Sequence, residues 1–281
     1  MIIRRTTTML KKLTGHKFNL MAVVTLAIIF VVGAIGPFVM RFSPLDTNAE
    51  KRLLSPSWTH FFGTDELGRD IFTRIIYGTR ISVGIALISI LVAALIGTFI
   101  GAFSGFVGRW LDQLIMRCTD VLLAFPTLVL ALALAAALGA SMVNAAIAIA
   151  IVKIPIYMRL ARNQALSISE RLYVKSARTN GLKTFWIVRK HIVPNLITPI
   201  IVQVSLDIGD AILLIATLGF LGLGAQAPTP EWGAMISTGW NYLIDQWWYP
   251  TFTGAAIFIT VMAFNILGDA VRDLFDPKVA Q

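Results

Sequence analysis

Six apolar runs, each close to the length that spans a bilayer, leave this chain few folds to choose from. Residues 20–40, 81–107, 115–138, 142–160, 196–221 and 251–268 are dominated by Leu, Ile, Val, Ala, Phe and Gly. A run of about 20 such residues crosses roughly 30 Å of hydrocarbon as a helix rising 1.5 Å per residue. Backbone N–H and C=O groups find no water at that depth, so each run must satisfy them internally by coiling. Hydrophobic residues make up 57% of the 281 and charged residues only 14%. With a mean hydropathy of +0.76, these proportions exclude a soluble domain. The expected fold is an all-α membrane protein of six transmembrane helices.

The formal net charge of +9 is concentrated in two places. Arg4, Arg5, Lys11, Lys12 and Lys17 precede the first apolar run without an acid among them. Lys153, Arg159, Arg162, Arg171, Lys175, Arg178, Lys183, Arg189 and Lys190 then face a single acid, Glu170. This is the bias of cytoplasmic loops and accounts for the high pI better than a nucleic-acid-binding face does. Both termini are therefore expected in the cytoplasm. The first run is longer than a signal-peptide core and lacks a small-residue cleavage site, so it reads as a retained helix. Cys118 is the only cysteine, which excludes an intramolecular disulfide and a cysteine-based zinc site. His16, His60 and His191 are scattered and read as polar loop or interface residues; no metal site is expected.

A long polar and strongly basic interval covers residues 160–195. Ser169-Glu170 followed by Leu172, Tyr173, Ser176 and Ala177 predicts a short amphipathic helix ending at Asn180-Gly181, where Gly permits a left-handed turn. Phe185, Trp186, Ile187 and Val188 then return the chain to the bilayer. On the other side, residues 41–79 read as an irregular segment in which Asp65, Arg69 and Asp70 form a local ion-pair network. Residues 225–250 contain no Lys or Arg, and their Trp232, Trp240, Trp247 and Trp248 suit an interfacial belt. Gly97, Gly101 and Gly105 share one helix face and allow a second backbone to approach. Pro126 is expected to kink the third helix, and Pro155 interrupts the fourth. Asp207 and Asp210, three residues apart, share a face, and carboxylates at that depth need a partner or water. Two readings of the pair stand: a structural pair with a polar or basic group across the bundle, or a pathway site that attracts an ammonium group.

No catalytic constellation is present. Gly181-Leu182-Lys183-Thr184 lacks the glycines a phosphate-binding loop requires, and Gly222 to Ala227 fits a dinucleotide spacing but runs into Pro228 instead of opening a helix. Energy for any uphill transport would then have to come from another chain or an ion gradient.

Several ordered motifs carry a resemblance over nearly the whole chain. Phe62-Gly63-Thr64-Asp65-Glu66-Leu67-Gly68-Arg69-Asp70 looks like the FGTDxLGRD signature of ABC-importer permeases of the peptide and nickel branch. Tyr173-Val174-Lys175-Ser176-Ala177-Arg178, Gly181 and His191-Ile192-Val193-Pro194-Asn195 resemble the "EAA" loop of the same family, with Lys175-Ser176 standing where the family has Glu-Ala. Phe220 to Gly224, Trp232 to Ile236 and the terminal GDxxRDxxDP pattern extend the match, and Leu206 to Gly209 with Asp245 to Tyr249 look most like dipeptide permeases, including those for D,D-dipeptides.

The resemblance implies the type I importer permease fold in a prokaryotic inner membrane. Residues 1–75 would hold the N-terminal tail, first helix and extracytoplasmic segment, and residues 76–281 the permease domain with its coupling loop at 160–195. It implies a second homologous permease subunit, two ATPase subunits that bind ATP and Mg, and an extracytoplasmic substrate-binding protein. The chain itself would be embedded in lipid, bind no cofactor and catalyse nothing. Glu170, Tyr173, Lys175, Ser176, Ala177 and Gly181 would form the ATPase-coupling segment. The function implied is import of dipeptides or short peptides. Nickel import by the same branch, a proton-coupled secondary transporter using Asp207 and Asp210, and a membrane scaffold are the alternatives.

The charge distribution predicts that position 178 faces the cytoplasm and residues 225–250 face outward. In a Cys118→Ser background, Arg178→Cys should resist an impermeant thiol reagent in intact cells and react after permeabilisation; labelling from outside intact cells would reverse the topology.

Overall fold

The computed structural model describes residues 17–275; Arg4, Arg5, Lys11, Lys12, His16 and the Asp276-Pro277 end of the terminal motif lie outside them. The described chain is helical, with one isolated β-bridge between Thr64 and Asp70. Its helices are α1 (Lys17–Val39), α2 (Ile71–Val107), α3 (Arg109–Ala124), α4 (Thr127–Leu138), α5 (Met142–Ser169), α6 (Leu172–Thr179) and α7 (Thr184–Ile187). A π-turn over Val188–Ile192 joins α7 to α8 (Val193–Phe220), and α9 (Trp232–Trp240) and α10 (Trp248–Phe275) are the last of the described helices. Five spans are long and apolar enough to cross a membrane, and the bent pair α3 and α4 makes a sixth candidate.

The 37 residues of α2 measure about 55 Å, well beyond the hydrocarbon thickness. The helix begins ten residues before its apolar run because Asp70 caps it, accepting from the Thr73 N–H at 2.8 Å. The extra turns carry Arg74, buried, whose guanidinium donates to the carbonyls of Pro44 at 2.7 Å and Pro228 at 3.4 Å. Residues 41–70 therefore form a cap folded onto the start of α2. Asp65, fully buried, accepts from the backbone N–H of Leu67 and Arg69, each at 2.9 Å, and from Arg69 Nε at 2.6 Å. Asp70 takes a different partner from the one the sequence indicates: it meets His60 Nδ1 at 2.9 Å. Glu66 ties the cap to the last helix by accepting from the Tyr249 hydroxyl at 2.6 Å.

At the opposite, basic end of the bundle, α2 and α5 run side by side in the same direction. A Cβ added at Gly97 would lie 2.6 Å from the Ile154 carbonyl oxygen and one at Gly105 2.7 Å from that of Arg162. At Gly101 it would overlap the Met158 backbone. The three glycines are thus the surface on which α5 rests.

Three further differences from the sequence expectation have local causes. Pro126 does more than kink its helix: α3 and α4 are bent by 96°, because Phe125 is extended (φ −83°, ψ 140°) as residues before proline are. The fourth span is neither interrupted at Pro155 nor ended at residue 160: one helix runs through to Ser169, and Arg159 and Arg162 on it pair with Asp120 at 2.5 Å and Asp112 at 2.6 Å on α3. Trp232 is no belt residue. It is 1% exposed, its indole N–H donates to the Ile75 carbonyl at 3.0 Å, and Gly78 leaves room for its ring; Trp240 and Trp247 are exposed.

Replacing Gly101 by Ala should lower the melting temperature and yield of the purified protein, as overpacking costs about 1–3 kcal/mol. Gly84 has no atom within 4 Å of its added Cβ, so Gly84→Ala should leave both unchanged or slightly raised. Equal behaviour of the two variants in a thermal melt would refute the contact.

Candidate functional site

The segment expected to meet the ATPase begins where α5 ends. Ser169 does not open the next helix; its hydroxyl donates back to the Leu166 carbonyl at 2.7 Å, and Arg171, extended, leads into α6. Val174 and Ala177, three residues apart on one face, are 1% and 8% exposed. They pack against Ile187, Val188, Ile192 and Ala165 of this same chain. The outer face carries Leu172, 86% exposed, with Tyr173, Lys175 and Ser176 also exposed. Lys175 Nζ lies 2.7 Å from Glu170 across the turn; the ammonium's hydrogen bond holds that carboxyl below its ordinary range. Both groups are largely open to water, so the pair adds little to stability.

The segment is closed by a Schellman turn. The N–H of Leu182 donates to Ala177 O at 3.2 Å and that of Gly181 to Arg178 O at 3.1 Å. Gly181 has φ +78°, the left-handed conformation this turn demands and other residues adopt at a cost. The exit is held as well. Pro194 has no N–H to offer the preceding turn, and the helix widens to a π-turn just before it. Asn195 Nδ2 donates to the His191 carbonyl at 2.7 Å and to the Tyr173 hydroxyl at 3.3 Å. The first turn of α6 is thereby tied to the first turn of α8.

Twelve residues further along α8, roughly 18 Å by helical rise, lie the two carboxylates. Lys153 Nζ donates to Asp207 Oδ1 at 3.0 Å and to Asp210 Oδ2. Gln203 Nε2 donates to Asp207 Oδ2 at 3.1 Å. Lys153 is therefore not part of the polar loop with which its charge groups it in the sequence. It sits inside α5, 3% exposed, where burial is tolerated because two carboxylates face it. The side chain of Asp207 is 8% exposed and that of Asp210 54%. With both acids ionised the trio carries one net negative charge, presented at Asp210.

Lys153 and Glu231 are among the buried groups that sequence reasoning passed over. Lys153 was legible only as one basic residue among nine. Glu231, 1% exposed, has no cationic partner among the described residues; it caps α9 by accepting from the N–H of Gly233 and Ala234, each at 2.8 Å, and accepts from Ser82 Oγ at 3.2 Å. Burial raises its carboxyl above the ordinary range, against the pull of those donors. An acid immediately before a helix beginning Trp-Gly was the available signal. The glycines 97, 101 and 105, by contrast, lie together with α5 as their spacing indicates.

These features accompany a clear kinship. The model of the family described as binding-protein-dependent transport system inner membrane component matches residues 97–281. The probable D,D-dipeptide transport system permease protein DdpC of Escherichia coli (strain K12) is 47% identical over 266 residues, which cover 95% of this chain and 89% of that protein. The dipeptide transport system permease protein DppC of Alkalihalophilus pseudofirmus is 44% identical over 269 residues, 96% of this chain and 88% of the relative. The glutathione transport system permease protein GsiD of Pectobacterium atrosepticum is 45% identical over 224 residues, covering 80% and 74%. With its helical spans, its Gly-closed segment at the basic end and similarity along nearly its whole length, the chain belongs to the binding-protein-dependent transport system inner membrane components, the multi-pass permeases of ABC importers.

Proposed function

We propose that this chain is a permease subunit through which an ATP-driven importer passes dipeptides or other short peptides. The observation that carries the substrate class is the 47% and 44% identity, over nearly the full length, to permeases of D,D-dipeptide and dipeptide transport systems. In this reading the chain pairs with a second homologous permease. Two ATPase subunits, holding ATP and Mg, sit beneath the basic end, and a binding protein delivers substrate at the cap end.

The mounting of α6 supports a coupling mechanism. Its outward residues Leu172, Tyr173, Lys175 and Ser176 meet an ATPase subunit, while Val174 and Ala177 key it into the permease core. Closure of the ATPases displaces α6, and the Tyr173 to Asn195 bond and the buried contacts pass that displacement to α8. Along α8 the movement reaches Asp207 and Asp210. Asp207 anchors Lys153 and holds α5 and α8 in register. Asp210, half exposed and carrying the trio's net charge, attracts the ammonium end of a passing peptide.

Gly181→Val, strained at its positive φ by about 1–2 kcal/mol, and Ala177→Glu should lower peptide uptake and substrate-stimulated ATP hydrolysis of the assembled complex, while the chain still inserts in the membrane. Normal uptake by both variants, or ATP hydrolysis by this chain purified alone, would overturn the coupling role.

The two aspartates should separate. Asp207→Asn leaves Lys153 with a single carboxylate and should lower complex yield or melting temperature, since breaking a buried pair costs on the order of 3–5 kcal/mol. Asp210→Asn should keep yield normal and reduce uptake of zwitterionic peptide relative to ATP hydrolysis. If Asp210→Asn transports normally, the pathway role is lost; if Asp207→Asn melts like the wild type, so is the anchoring role.

A further inference from the structure

The face of α8 turned away from Asp210 carries a second feature. Ile201 and Asp210 are nine residues apart, two and a half turns, and so point in opposite directions. On the Ile201 side a groove of about 340 Å³ runs between α2 and α8, lined by Leu91, Leu95, Phe99, Ile197, Ile201 and Val204. Along α8 it extends from Val193 to Val204, about 16 Å of helix. That length matches one leaflet of a bilayer whose hydrocarbon is roughly 30 Å thick.

The mouth of the groove is chemically different. Phe185 meets Phe99 edge to face, with centroids 5.9 Å apart, closing the end of the apolar slot. Just beyond stand Trp186, Arg189 and Lys190, all exposed. The Arg189 guanidinium lies 5.7 Å and the Lys190 ammonium 5.1 Å from the Trp186 ring centroid. Both cations sit on the π-turn and lean over the same indole. Among the described residues neither has a carboxylate within ion-pair distance. The sequence offers none nearby either: residues 171–206 contain no Asp or Glu.

An apolar slot one leaflet deep, with an indole at headgroup level and two unbalanced cations above it, has the shape and charge of a phospholipid. We propose that this groove binds one anionic phospholipid of the leaflet at the basic end. One acyl chain lies between α2 and α8, and the phosphate sits between Arg189 and Lys190. A zwitterionic headgroup brings its own cation and gains less from the pair, so the site discriminates by headgroup charge. The bound lipid would brace the π-turn through which α6 and α7 join α8, whatever substrate the transporter carries.

The test uses the assembled transporter, purified and examined by native mass spectrometry after exposure to equal phosphatidylglycerol and phosphatidylcholine. The wild type should retain phosphatidylglycerol in preference. Each cation near an anionic group contributes about fivefold, so Arg189→Gln with Lys190→Gln should weaken retention by roughly 25-fold. Ile201→Trp, which fills the slot at an exposed position, should also abolish it; Ile201→Phe serves if the larger residue impairs assembly. Lys51→Gln, an exposed charge at the cap end, should change nothing. Equal retention of the two lipids by the wild type would overturn the proposal, as would a preference that survives removal of both cations. So would cross-linking of Ile201→Cys, in a Cys118→Ser background, to another subunit, which would mean that protein covers the groove.

Discussion

Everything in the bundle is referred to the close approach of α2 and α5. Between helices in lipid there is no hydrophobic drive toward association, so contact must come from backbones near enough for dispersion and weak C–H···O interactions to add up. Gly97, Gly101 and Gly105 provide that proximity by placing nothing between the two main chains. The consequence reaches beyond packing. Ile154, whose carbonyl faces Gly97, is the neighbour of Lys153, so the helix contact also sets the depth and rotation of the one lysine that pairs with both aspartates of α8.

Buried charge is matched in three different ways. Asp65 is balanced by Arg69 of its own segment and by Arg74 at the start of α2, Asp207 by a lysine 54 residues away, and Glu231 by backbone and hydroxyl donors. The first organises a cap, the second fastens one span to another, and the third seats a short helix against α2. Removing a donor in any of them leaves a buried acid short of a partner, which destabilises the fold. The polar economy of the protein is thus local at the cap and long-range within the bundle.

How much of this was legible in the sequence depended on whether a residue's role is decided by its neighbours along the chain. The apolar runs are such a case, since length and hydropathy alone establish a span. So are the glycine stripe and Gly181, where period and turn chemistry act over a few residues. Lys153 is the opposite case: a lone charge reads as the end of a membrane segment until its partners across the bundle are known. Arg74 extends α2 outward for the same reason, with acceptors at Pro44 and Pro228 that no window of sequence brings together. Trp232 reads as an interfacial residue by type, yet Gly78 opens a pocket for it in a distant helix. Pro126 announced a disturbance without its size, because the angle is set by the extended Phe125 before it.

The matched order of contacts along α2 and α5 also fixes a parity. Positions 97, 101 and 105 meet 154, 158 and 162 in rising sequence, so the two helices are traversed in the same sense. A chain that descends twice along neighbouring tracks must climb once between them. Only α3 and α4 lie in that interval, and the right-angled pair must together make the ascent. Neither piece spans the hydrocarbon alone: α4 has 12 residues, about 18 Å. The fracture at Phe125 and Pro126 is accordingly a landing on a staircase, and the described residues climb and descend six flights in all.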